Sequence, residues 1–143
     1  MKLKDIMTKD TIAVSADNSI LDVAQIMKDK NIGAVPVCTD DMNVEGIVTD
    51  RDIVLRVVCT GKDQKTTKCK DIMTDKLVVG KTDMEVDSAL DLMGDVQVRR
   101  LPVVENGKLV GFVSLGDLAT SPRSGNSTRE ALSDISLPHA PLV

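Results

Sequence analysis

The sequence predicts an α/β (α+β) fold in which two β-α-β-β-α repeats pack about a pseudo-twofold axis. Three observations lead there. First, the chain is written twice: Asp5-Ile6-Met7-Thr8 returns as Asp71-Ile72-Met73-Thr74, sixty-six positions later. At the same offset Asp17 meets Asp83, Met27 meets Met93, Asp29 meets Asp95, and Pro36-Val37 meets Pro102-Val103. After one residue drops out, Gly46, Val48 and Asp52 meet Gly111, Val113 and Asp117 at an offset of sixty-five. Second, each copy holds one segment with apolar residues at helical spacing. Third, each copy then holds two short apolar runs, the second pair joined by Asn106-Gly107, a strong hairpin signal because both residues tolerate positive φ.

Taken in order, each copy opens with a short charged turn closing on Asp-Ile-Met-Thr, followed by a brief strand-like run, Thr11–Val14 or Leu77–Val79. Ala16-Asp17-Asn18-Ser19 offers capping side chains to a helix whose face carries Ile20, Val23, Ala24 and Met27. In the second copy Thr82-Asp83 precedes Val86, Ala89, Leu90 and Met93 in the same spacing. The strand pairs are Ala34–Cys38 with Val44–Val48, and Leu101–Val104 with Lys108–Val113. A last helix starts at Asp50 or Leu115. The organisation is repeat one at 1–60, a polar and basic linker at 61–70, repeat two at 71–120 and a flexible tail at 121–143. In that tail Glu130, Ala131, Leu132 and Ile135 make one short amphipathic turn before Pro138, suited to docking on the body or on a partner, with fraying the default for a terminus.

At 143 residues, each half is near the lower limit for independent stability, which favours mutual stabilisation of the halves. A hydrophobic fraction of 42% with 28% charged residues reads as soluble and globular. A net charge of −4 argues against a nucleic-acid partner, which needs clustered Lys and Arg. One Phe and no Trp or Tyr leave no base-stacking platform. Cys38, Cys59 and Cys69 are odd in number and lack Cys-x-x-Cys spacing, which suggests neither a disulfide framework nor a zinc site. The chain opens without a basic-then-apolar leader and has no apolar run of membrane-span length, so the expectation is a cytoplasmic protein with no membrane partner.

The strongest local signal is Gly46-Ile47-Val48-Thr49-Asp50-Arg51-Asp52 and its counterpart Gly111-Phe112-Val113-Ser114-Leu115-Gly116-Asp117. In each, a strand ends in a hydroxyl residue and an Asp follows three places later. A Ser or Thr cap with an acid at that spacing is a capping box and needs no ligand. The same geometry also suits a nucleotide: the hydroxyl can donate to a phosphate at the helix start, and the Asp can accept from vicinal ribose hydroxyls. Cations differ between the copies. Arg51 lies in the first motif where Gly116 stands in the second, and Arg99-Arg100 stand where the first copy has Gly33-Ala34. Catalytic machinery is missing from the body. His139, the single histidine, sits between Pro138 and Pro141, and no nucleophile–base pair, Gly-rich phosphate loop or metal-ligand cluster can be assembled, so no enzyme is expected. The methionines read as core filler.

These residues resemble the cystathionine-β-synthase (CBS) domain family in its paired arrangement, the Bateman module, of the small stand-alone bacterial type. The resemblance covers about residues 1–120 and rests on the two Asp-Ile-Met-Thr openings, Ala34-Val35-Pro36-Val37, Arg100-Leu101-Pro102-Val103 and the two Gly-x-x-Thr/Ser-x-x-Asp ends. It implies a regulatory module that binds AMP, ADP, ATP or S-adenosylmethionine between the repeats, as a homodimer that signals to a separate effector protein. By resemblance, Thr49 and Ser114 contact phosphate and Asp52 and Asp117 contact ribose, with Arg51, Arg99 and Arg100 as cations. The adenine walls are then Ile12 and Val35 in one site, and Val78 and Leu101 in the other. Gly116 and Leu115 make the second motif less polar, which favours the site around Thr49 and Asp52. The competing expectation is a dimerisation or protein-interaction module whose hydroxyl–Asp pairs are only caps.

Overall fold

The computed structural model describes residues 1–119 and 125–136, with the side chains of 125–128 and 136 outside that description. Two compact units emerge, one from Ile12–Leu77 and one from Met1–Thr11 with the described part of 78–141. Thus the units do not begin where the repeats begin: the opening segment of each copy packs with the body of the other.

In the first-repeat unit, helix α2 (Ile20–Lys30) starts at Ser19, whose Oγ accepts from the Asp22 N–H at 3.1 Å while the Asp22 carboxylate accepts from the Ser19 N–H at 3.3 Å. It ends at Asn31 in the left-handed conformation, φ 54°. The segment read as a linker has a structural role here. The Thr67 and Gln64 carbonyls accept from the Ile20 and Leu21 N–H groups, donors that a helix start leaves unpaired. Strands β1 (Ala34–Cys38) and β2 (Val44–Thr49) pair antiparallel. Helix α3 (Asp50–Ile53) follows at once and widens into a π-helical turn, Val54–Val58. The core gathers Ile20, Val23, Val35, Val37, Val48, Val57, Cys69 and Ile72.

The second-repeat unit holds β3 (Gly80–Lys81), α5 (Val86–Val96), β4 (Arg100–Glu105), β5 (Lys108–Ser114) and α6 (Leu115–Ala119). Its sheet order is β3-β4-β5, with β3 parallel to β4 and β5 antiparallel. The β4–β5 turn is Asn106-Gly107 at φ 53° and 79°, the double positive φ of a tight hairpin. Leu90, Met93, Leu101, Val103, Val113 and Leu118 form its core.

The first strand of each copy is shorter than the apolar run suggested. In copy one only Val14 joins the sheet, bonding Pro36 and Cys38 at 3.0 and 2.8 Å. In copy two the ladder falls on Gly80-Lys81, just after Leu77–Val79, and Gly80 occupies the position equivalent to Val14. Register with the next strand, not hydrophobicity, chose the paired residues.

Two further helices complete the exchange between copies. Helix α1 (Leu3–Ile6) buries Leu3 in the second-repeat core, and α4 (Cys69–Ile72) buries Cys69 and Ile72 in the first-repeat core. Thr8 then exchanges both backbone hydrogen bonds with Phe112 at 2.9 and 3.0 Å, and Thr74 does the same with Ile47 at 2.9 and 3.0 Å. Each opening thereby covers part of an otherwise exposed strand edge. Gly46 and Gly111 admit that approach: a Cβ at Gly46 would lie 2.6 Å from the Met73 Sδ, and one at Gly111 would collide with the Met7 Sδ. These two methionines therefore do more than fill a core. Each seats the Asp-Ile-Met-Thr segment over the glycine of the other copy's motif.

The segment expected to fray is corrected. Helix α7 (Gly125–Ser136) docks on α5, with Ala131 3% and Ile135 6% exposed. Gly94, inside α5, lets it come close: a Cβ there would lie 3.1 Å from Asp134 Oδ2 and 3.4 Å from the Ala131 Cα. The Gln97 side chain donates to the Asp134 carbonyl at 2.9 Å. Pro138, His139 and Pro141 lie outside the described residues. Among the described residues no helix is long and apolar enough to cross a membrane.

Candidate functional site

At the end of β2, the Thr49 Oγ1 accepts from the Asp52 N–H at 3.1 Å and the Asp52 Oδ2 accepts from the Thr49 N–H at 2.9 Å. At the end of β5, the Ser114 Oγ accepts from the Asp117 N–H at 3.0 Å and the Asp117 Oδ2 accepts from the Ser114 N–H at 3.0 Å. The residue just before β1 or β4 adds a matching bond: Asp50 N–H donates to the Gly33 carbonyl at 2.9 Å, and Leu115 N–H to the Arg99 carbonyl at 2.8 Å. Both motifs are complete capping boxes on matching backbone frames.

Capping does not exhaust these groups. A hydroxyl that accepts through oxygen still has its own hydrogen to donate, and a carboxylate offers about four lone-pair positions. What differs is the surroundings. Asp52 is buried, and its Oδ1 lies 3.8 Å from Arg56 Nη1. That same nitrogen donates to the Ile72 carbonyl at 2.7 Å and to Thr74 Oγ1 at 3.4 Å. Arg56 therefore joins the first motif to the opening of the second copy. The sequence reading passed over Arg56, although an acid and a base four apart on a helix carry a readable signal. The Arg51 side chain is exposed and takes no part in these contacts.

In the second-repeat unit Asp117 is exposed, and an open hollow of about 330 Å³ lies beside the motif, lined by Arg99, Arg100, Ser114, Leu115, Gly116, Ala119 and Leu132. Arg99 and Arg100 are exposed neighbours and neither forms an ion pair with a described residue. Arg99 and Arg100 both line the hollow, and a guanidinium suits an anion because it presents a planar set of donors. The sequence favours the first motif because Arg51 stands in it. A hollow lies at the second, lined in part by Arg99, Arg100 and Ser114.

The expected adenine walls divide. Ile12 and Val78 keep partial exposure, each in the same unit as its motif. Val35 and Leu101 are fully buried, so neither side chain presents surface to a ligand, and that part of the expectation is corrected. Strand alternation explains it: Val35 with Val37, and Leu101 with Val103, point into the two cores. Leu132 was not foreseen, because nothing local to its sequence says which surface its helix will meet. Among the described residues no group of three His, Cys, Asp or Glu side chains is placed to hold a metal ion.

Comparison with known proteins gives the family and the fold. The CBS domain family model matches residues 3–58 and 69–123. The CBS domain-containing protein YhcV of Bacillus subtilis is 41% identical over 134 residues, covering 94% of each chain. YlbB of the same organism is 44% identical over 136 residues, covering 94% of this chain and 91% of its own. Among solved structures, the CBS domain pair of protein MJ0100, in complex with 5′-methylthioadenosine and S-adenosyl-L-methionine, is 27% identical with a TM-score of 0.76, covering 83% of this chain and 93% of its own. Two matched copies, a duplicated motif frame and a shared fold make one statement: this chain belongs to the CBS domain family and carries a pair of CBS repeats.

Proposed function

We propose that this protein is a regulatory CBS-pair module that binds an adenosyl ligand, in the class of AMP, ADP, ATP or S-adenosylmethionine, and signals its level to a separate effector protein as a cytoplasmic homodimer. The observation that carries this reading is the doubled hydroxyl–carboxylate pair, whose second hydroxyl, Ser114, lines a hollow together with the exposed residues Arg99 and Arg100. Thr49 and Ser114 would donate to phosphate or a similar polar group. Asp52 and Asp117 would accept from ribose hydroxyls, and Arg51, Arg99 and Arg100 would hold anionic charge. Ile12 and Val78 supply aliphatic surface for a base. The complex of the MJ0100 pair with two adenosyl compounds supports the ligand class. Binding regulates only if the ligand prefers one arrangement of the protein over another.

A second reading, a dimerisation or protein-interaction module, is favoured by the completeness of both capping boxes. Thermal unfolding with each of the four ligands separates the two, since a ligand that binds only the native state raises the melting temperature. A concentration-dependent rise with at least one ligand is expected, and Asp52→Ala or Asp117→Ala should weaken calorimetric binding by about ten- to a hundredfold, the worth of a charge-assisted hydrogen bond. No protective shift and no heat from any of them would leave the interaction module as the reading.

A further inference from the structure

Helix α7 does not only close a core. Ala131 and Ile135 face α5 and are buried, whereas Leu132 is 46% exposed and borders the hollow that also holds Arg99 and Arg100. A large apolar side chain left half in water, beside two exposed cations, makes a surface with two chemistries. We propose that α7 is a wall of the second-repeat binding hollow, and that it selects a ligand whose anionic group meets the arginine pair while an apolar edge lies on Leu132 and Leu115. The proposal rests on the ligand-binding reading and adds to it a coupling between ligand and C-terminal helix.

The first repeat has no counterpart to this wall among the described residues. Gly94 faces α7 closely: a Cβ there would lie 3.1 Å from the Asp134 Oδ2 and in ordinary contact with the Ala131 Cα. At the equivalent position copy one carries the exposed Lys28 instead of a glycine. Linkage then fixes the consequence. A ligand that touches Leu132 binds the docked helix better than the undocked one, so it must tighten docking, and undocking must weaken the ligand by the same factor. The two repeats, alike in their capping boxes, would thus differ in ligand class and in whether the C-terminus responds.

The test uses the full chain with AMP and S-adenosylmethionine as probes, read by calorimetry and by amide hydrogen exchange over residues 125–136. Slower exchange in α7 with bound probe is expected. Leu132→Asp should bind about tenfold more weakly or worse, the worth of one leucine contact, with its melting temperature close to wild type because the side chain is half exposed. Gly94→Lys, which loosens α7 from a distance, should weaken binding in the same direction. If the wild type binds a probe but exchange in α7 is unchanged, or Leu132→Asp binds as tightly, this inference falls and the ligand reading stands. If the wild type binds neither probe, nor ADP or ATP used in their place, the ligand reading falls and takes this one with it.

Discussion

Asp52 and Asp117 accept equivalent backbone hydrogen bonds, yet one carboxylate is buried beside Arg56 and the other is exposed, with its capping partner Ser114 lining a hollow together with Arg99 and Arg100. The frame is shared because it is made by residues three apart in sequence, which any faithful copy reproduces. The surroundings differ in two ways: in one unit the local i,i+4 partner Arg56 is tied to Ile72 and Thr74, and in the other helix α7 comes from further along the chain to line the hollow. Duplication, then, hands down local geometry and leaves charge and access to be set separately in each copy.

Breaking the comparison is easiest in the cores. Leu118 is fully buried, while its equivalent Ile53 is only partly so. Leu118→Ala should cost about 2–5 kcal/mol and Ile53→Ala clearly less, measured by urea unfolding. Equal losses would show that the two copies are packed alike after all. Next come the strand glycines. Gly46→Ala and Gly111→Ala force a methyl against Met73 and Met7, and each should cost about 1–3 kcal/mol by overpacking. A neutral Gly111→Ala would mean that Met7 swings aside and that the opening segment is seated by something else. The caps should behave alike: Thr49→Ala and Ser114→Ala each lose a capping oxygen, worth about 1 kcal/mol. A much larger loss for Thr49→Ala would show that the Asp52–Arg56 contact depends on it.

The smallest effect is in pH. All three cysteines lie in the first-repeat unit, and Cys69 sits where the second-repeat unit has Leu3. Burial pushes the Cys69 thiol from its ordinary 9.0 up to about 11, and burial with the nearby Glu45 charge raises Cys38. Between about pH 9 and 11 the unfolded chain loses the Cys69 proton while the native protein keeps it. Stability from this group is therefore complete below pH 9 and falls as pH rises through that window. No tyrosine adds a competing titration. Urea unfolding across this range should show a shallower alkaline decline in Cys69→Ala than in wild type, and identical slopes would remove the thiol from the account. Cys59, exposed, should be the first of the three to react with a thiol reagent in the native protein.

The sequence by itself determined what is written over short spacings. The helical faces of α2 and α5, the Asn106-Gly107 hairpin and both Thr/Ser–Asp boxes follow from residues within about four positions of each other, and all are present. The doubled order of motifs was enough to reach the family. Tertiary structure alone decided what depends on distant partners. It put each Asp-Ile-Met-Thr segment on the other copy's sheet and turned Val35 and Leu101 inward. It also aimed Arg56 at Ile72 and laid α7 over Gly94 beside the arginine pair. The physical reason is common to all of them. Periodicity says which face of an element is apolar, but which other surface covers that face is settled only when the whole chain has packed.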